Sequence, residues 1–130
     1  MPFTYSIDPE RHIVTSTAFG VVSDEDFLMH NRKLPGDERF DPAFRQIIDL
    51  TGIQPGSRVK TSTLHELAQK NPFSPCSRRA IVAVTELAFG LARMYGLLLG
   101  GTCSENTGVF QSREEAEAWL SEPGPVAEPP

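Results

Sequence analysis

Cysteine is scarce: Cys76 and Cys103 are the only two in 130 residues, too few for a disulfide framework. The opening M-P-F-T-Y-S-I-D has neither a basic n-region nor an apolar h-region, so no secretory leader is expected. Free thiols in a reducing cytoplasm follow from those two readings. No apolar stretch reaches the roughly 20 residues that a membrane-spanning helix needs. Bases are outnumbered, 12 against 17 acids, and a net charge of -5 disfavours nucleic acid as the main partner. The imbalance is uneven. Residues 1–28 and 105–130 sum to -4 and -5, whereas 29–104 sums to +4. That basic middle could meet an acidic patch or an anion, or be an ordinary solvated mixed surface.

Reactive constellations are also missing. His12, His30 and His65 show no i,i+4 pairing, and His65-Glu66 lacks the rest of H-E-x-x-H. No metal site is expected, and all three histidines are read as surface residues. There is no glycine-rich phosphate loop, no Walker pattern and no nucleophile elbow. Arg78 and Arg79 follow close behind Cys76 and could lower a thiol pKa, but no histidine stands near in sequence. Cys103 should return to the same end as Cys76, so a disulfide is conceivable geometrically, while a reducing compartment argues against it. The chain is therefore expected to be non-enzymatic and to need no cofactor.

What is present is an α/β pattern. Phe3, Tyr5 and Ile7 alternate with polar residues, Asp8 to Arg11 is turn chemistry, and His12 to Phe19 resumes a strand: a hairpin. Ser23 and Asp26 form a reciprocal cap for a helix from Asp24, with Phe27, Leu28 and Leu34 on its buried side and Pro35-Gly36 stopping it. Phe40 and Phe44 are expected to tuck into the core from the loop at 35–45. Gln46 to Leu50 is a strand broken by Thr51-Gly52, and residues 53–59 are a loop. Thr61 to Lys70 is a short helix with Leu64, Leu67 and Ala68 on one face. Ala80 to Val84 is a strand buried on both faces. Thr85 then caps a helix over 86–99. Thr107 to Gln111 is the last strand, and Ser112 with Glu115 caps a helix through Leu120 whose packing face is Ala116, Trp119 and Leu120. The proline-rich residues 122–130 read as a disordered tail, leaving one domain over 1–121.

The order ββαβαβαβα implies a mixed sheet with right-handed crossovers. With Y-S-I-D, I-V-x-x-x-A-F-G-x-V-S, I-I-D-L-T-G, R-R-A-I-V, F-G-L-A-R-M-Y and V-F-x-S-x-E-E-A-x-A-W-L, it resembles the STAS fold and specifically the SpoIIAA-like family. The resemblance spans roughly residues 3–120. It implies a bacterial, cytoplasmic α/β domain with helices mainly on one face of the sheet, a non-enzymatic regulatory role, protein binding and frequent homodimer formation. Better-studied relatives are anti-sigma-factor antagonists switched by phosphorylation of a Ser or Thr at the start of the second helix. Their D-S-S-G or D-T-S-G is absent; the matching region leaves Thr51, Ser57, Thr61 and Ser62.

Two regions stand out as binding surfaces. Asp49, Thr51 and Gly52, with Ser57 beyond them, lie at the carboxyl end of a central strand, where open α/β sheets gather ligands. Thr85, Gln111 and Ser112 should reach the same edge. They either line a polar site or partner face, or merely satisfy turn and helix-start amides. The second region is the helix at 86–99, apolar almost all round with Arg93 its only charge after the first turn. Ala88, Ala92, Gly96 and Gly100 form a small-residue stripe, with Leu87, Leu91, Met94, Tyr95 and Leu98 a bulkier one beside it. One stripe should pack on the sheet. The other should meet a partner protein, a second copy, or a small apolar, lipid-like ligand in a pocket against the sheet. Arg93 is expected to pair with a carboxylate or carbonyl, or to hold an anionic head group.

Overall fold

The computed structural model describes residues 3–74, 77–99 and 106–121. Cys76, Cys103, Gly100 and the tail at 122–130 lie outside them. Strand β1 (Phe3–Asp8) turns Phe3, Tyr5 and Ile7 inward while Thr4 and Ser6 face out. Its turn is built by Asp8, whose carboxylate accepts from the Glu10 and Arg11 amides. The turn closes at His12, which takes a left-handed φ of 59° and donates its amide to the Asp8 carbonyl. Strand β2 (Ile13–Gly20) pairs antiparallel with β1. From there β3 (Arg45–Ile53), β4 (Arg79–Val82) and β5 (Thr107–Phe110) are added in parallel, in the spatial order β1-β2-β3-β4-β5.

Three helices link the parallel strands: α1 (Asp24–Lys33), α2 (Thr61–Gln69) and α3 (Glu86–Leu99). Strands laid down in order with crossovers of one hand carry their connecting helices on the same face. Phe27 of α1 and Ala88 and Ala92 of α3 accordingly share one core with Ile48, Leu50 and Ile81. Helix α4 (Arg113–Ser121) follows the last strand and folds to the opposite face, where Ala116 and Leu120 meet Ile13, Ile47, Ala80 and Val82. Phe40 and Phe44 pack beside Leu34 and Phe73, as their place in the loop predicts.

The reciprocal cap of α1 is present: Ser23 Oγ accepts from the Asp26 amide, and Asp26 accepts from the Ser23 amide at 2.9 Å. A single 3-10 turn over Leu34–Gly36 follows. Several boundaries differ from the sequence reading by a residue, and two strands differ by more. Strand β4 begins at Arg79 and ends at Val82, so Val84 is exposed. Strand β3 does not break at Thr51-Gly52 but runs on to Ile53. The reason is the neighbouring strand. The β2–β3 register shifts between Thr17 and Phe19, and Gly52 sits where a Cβ would lie 3.1 Å from both the Ala18 carbonyl oxygen and Phe19 Cβ. Glycine here permits close strand approach at a bulge.

Candidate binding cavity

The three same-side helices do not fill the space above the sheet. Between α1, α2, α3 and β3 lies a cavity of about 60 Å3, partly open to solvent. On that measure one water needs roughly 10–15 Å3, so the hollow has room for several waters or a short chain rather than a large ring system. Phe27, Leu50, Leu64, Leu91 and Tyr95 supply apolar walls, and His30, Asn31, Gln46 and Asn71 supply polar atoms. A mostly apolar hollow with a few convergent polar groups is the usual composition of a small-molecule site.

The polar wall is continuous with a buried string of side chains. Gln46, Ile48 and Leu50 share the helix-facing side of β3 by strand alternation. On β2, Ser16 faces the same way and is fully buried. Its hydroxyl lies 2.8 Å from His30 Nε2 and accepts from Gln46 Nε2 at 3.2 Å. The other ring nitrogen of His30, Nδ1, lies 3.1 Å from Asn31 Oδ1. Phe3 and Tyr5 enclose the imidazole with ring centroids at 4.6 and 5.9 Å. Far from being a surface residue, His30 is 6% exposed. Burial pushes its pKa below 6.5, which keeps the imidazole neutral. At the far end, Arg79 Nε donates to Gln46 Oε1 at 3.4 Å.

Helix α3 divides its faces sharply. The small stripe, Ala88 and Ala92, packs on the sheet; Gly96 faces Thr107 of β5, where an added Cβ would make an ordinary 3.4 Å contact. Leu91 and Tyr95 line the cavity, and Leu98 is half-buried. The remainder of the bulky side stands in solvent: Leu87 is 41% exposed, Phe89 38%, Met94 41% and Leu97 77%. Arg93 differs from expectation. It is exposed and its guanidinium lies 5.9 Å from the Phe89 ring, with no carboxylate partner among the described residues. An exposed guanidinium keeps its hydration and needs none.

At the carboxyl edge of the strands most hydroxyls hold backbone amides. Thr85 Oγ1 accepts from the Ala88 amide at 3.1 Å, capping α3, and Ser112 Oγ accepts from the Glu115 amide at 3.2 Å, capping α4. Ser57 is buried; it accepts from the Val22 amide and donates to the Gln54 carbonyl, both at 2.9 Å. Thr51 donates through both its amide and its hydroxyl to Asp49 Oδ1. Asp49 also pairs with Arg113, Nη1 to Oδ2 at 3.3 Å. Burial raises the Asp49 pKa, but the hydrogen bonds from Thr51 and Arg113 outweigh it and the net shift is downward. Asp49 and Thr51 thus sit together on the α4 side of the sheet, away from the cavity. Arg113, which the sequence reading passed over, joins them.

No family model and no curated protein matches the chain. Among solved structures, it is similar to an uncharacterised protein of the DUF3478 family with a SpoIIAA-like fold from Shewanella loihica PV-4. The TM-score is 0.58 at 19% identity, over 91% of this chain and 93% of that one. Five strands in sequential order, the first antiparallel, agree with that likeness. The fold is SpoIIAA-like. Within this SpoIIAA-like frame the hydroxyls considered for a phosphoswitch are unlike one another. Thr61 and Ser62 are exposed at the start of α2, whose N-cap Lys60 contributes no side-chain hydrogen bond. Thr51 is exposed but engaged with Asp49, and Ser57 is enclosed. No described helix is long and apolar enough to cross a membrane.

Proposed function

We propose that this SpoIIAA-like domain is a non-enzymatic binding module that takes up a small, mainly apolar molecule between α1, α2, α3 and the sheet. The observation that carries this reading is the cavity itself: apolar side chains from three helices surround space that well-packed interiors normally fill. Ligand entry would replace weakly held water against Leu64, Leu91 and Phe27 with dispersion contacts. Native mass spectrometry of freshly purified protein tests it. A co-purified small mass that is lost on denaturation is the expected result. An adduct-free spectrum that also stays unchanged when hexan-1-ol is added would count against the cavity as a site.

A second reading, contact with a protein partner or a second copy, is favoured by the outward face of α3. Leu87, Phe89, Met94 and Leu97 expose large apolar side chains on one helix, a concentration that marks interaction surfaces more often than free ones. The readings are compatible, since α3 turns Leu91 and Tyr95 inward and Met94 and Leu97 outward.

A further inference from the structure

Hydrogen bonds along the buried string have a direction, and it is set at the Arg79 end. Arg79 Nε only donates, so the Gln46 atom it meets is the oxygen, and Gln46 Nε2 donates in turn to Ser16 Oγ. The Ser16 hydroxyl has no further partner among the described residues except His30 Nε2, so its own hydrogen goes there. A neutral His30 then carries its proton on Nδ1 and donates to Asn31 Oδ1. Every bond runs from Arg79 toward Asn31. The string ends on an amide whose oxygen is taken and whose Nδ2 has no partner among the described residues. Asn71 is in the same condition: its Oδ1 accepts from the Phe73 amide at 3.3 Å, and its Nδ2 is unbonded among the described residues.

Both asparagines are half-buried and both line the cavity. They share its α1–α2 end: Asn31 also borders a second hollow with Leu67 and Lys70, and Asn71 follows Lys70 in the chain. Across on α3, Tyr95 keeps its hydroxyl proton because burial pushes its pKa above 10, so that wall too can donate. No Asp, Glu, Lys or Arg among the described residues lines the cavity. An ion entering it would shed water without meeting a counter-charge. We infer that the ligand is an uncharged short-chain carbonyl compound, a ketone or ester, whose oxygen accepts from the Asn31 and Asn71 side-chain amides while its chain lies among Leu64, Leu91 and Phe27. This rests on the cavity being a binding site and adds the ligand's head group. A carbonyl oxygen offers two lone pairs and brings no donor of its own, so it matches a wall whose unbonded groups are N–H.

The test compares hexan-2-one, hexylammonium and sodium hexanoate, equal in chain length and different in head group, by calorimetric titration at pH 7.5. The expected result is hexan-2-one binding tighter than either ion by about tenfold or more. Asn71→Asp keeps the oxygen that serves the Phe73 amide and removes the donor, so it should weaken hexan-2-one by about fivefold. Should that variant not fold, the side-chain NH2 resonances of Asn31 and Asn71 in the unsubstituted protein serve instead: both shift saturably with hexan-2-one. Either ion binding as tightly as hexan-2-one would overturn the uncharged assignment. Hexan-2-one binding with both NH2 pairs unmoved would overturn the role of the amides. Each of these outcomes leaves the cavity reading standing. Binding of none of the three, nor of hexan-1-ol, would overturn both.

Discussion

His30 is where a single side chain shapes the pH response of the whole molecule. Its folded pKa lies below its ordinary 6.5 because the ring is buried, with Lys33 adding to the shift and the Asn31 contact opposing it. As pH falls through 6.5 the unfolded chain takes up a proton that the folded ring resists. Stability is therefore complete above that value and declines below it, by up to about 1.4 kcal/mol per pH unit until the folded pKa is reached. Urea midpoints measured between pH 7.5 and 5 should show the decline, and His30→Gln should flatten it. Asp49 acts in a separate, more acidic window. Its pKa is depressed from 3.8, so its contribution is present above 3.8 and is lost as pH falls through the folded value. Ser57→Ala should cost about 1–3 kcal/mol, because it leaves the buried Val22 amide without its acceptor.

These buried polar residues were partly legible in the sequence. His30 falls three residues after Phe27 and four before Leu34, on the helix face already read as apolar. Gln46 and Arg79 alternate with Ile48 and Ile81. Spacing is thus compatible with all three facing inward, but the sequence reading put His30 on the surface and began β4 only at Ala80, since residue type argued for water. What no local pattern could show is that three separate elements bring them into one string, or that Arg113 reaches Asp49 across 64 positions.

At the scale of elements, helix starts were the most readable feature, because a cap is a bond between residues three apart. Ser23 with Asp26 and Ser112 with Glu115 form as their spacing predicts. Ser23→Ala should cost about 1 kcal/mol in chemical denaturation. The end of β3 was misread because Thr51-Gly52 looks like a breaker in isolation, whereas the glycine serves the adjacent strand. Two glycine substitutions separate these roles. Gly52→Ala should destabilise by about 1–2 kcal/mol, since backbone and Cβ atoms of β2 must yield. Gly90→Ala, on exposed α3 with nothing within 4 Å of the added carbon, should stabilise by about 0.5–1 kcal/mol. If α3 also mates with a second copy, Met94→Glu with Leu97→Glu should turn a dimer into a monomer by light scattering without lowering the melting temperature.

For the molecule as a whole, the ββαβαβαβα order followed from strand and helix periodicity, crossovers of one hand leaving little choice of layer for α1 to α3, while the SpoIIAA-like architecture came from the resemblance of motifs along the chain. Periodicity says which side of α3 is apolar, but not how closely three helices approach one sheet. The cavity is a product of that packing and appears only in three dimensions. Under the proposed function α3 is a helix that shields a ligand rather than plain core.

The most direct measurement is an amide NMR titration of the unsubstituted protein with hexan-1-ol. Binding in the cavity predicts saturable shifts grouped at His30, Gln46, Leu64, Leu91 and Tyr95, with Met94, Leu97 and the α4 face unmoved. Shifts confined to the outward face of α3, or none that saturate, would contradict the account.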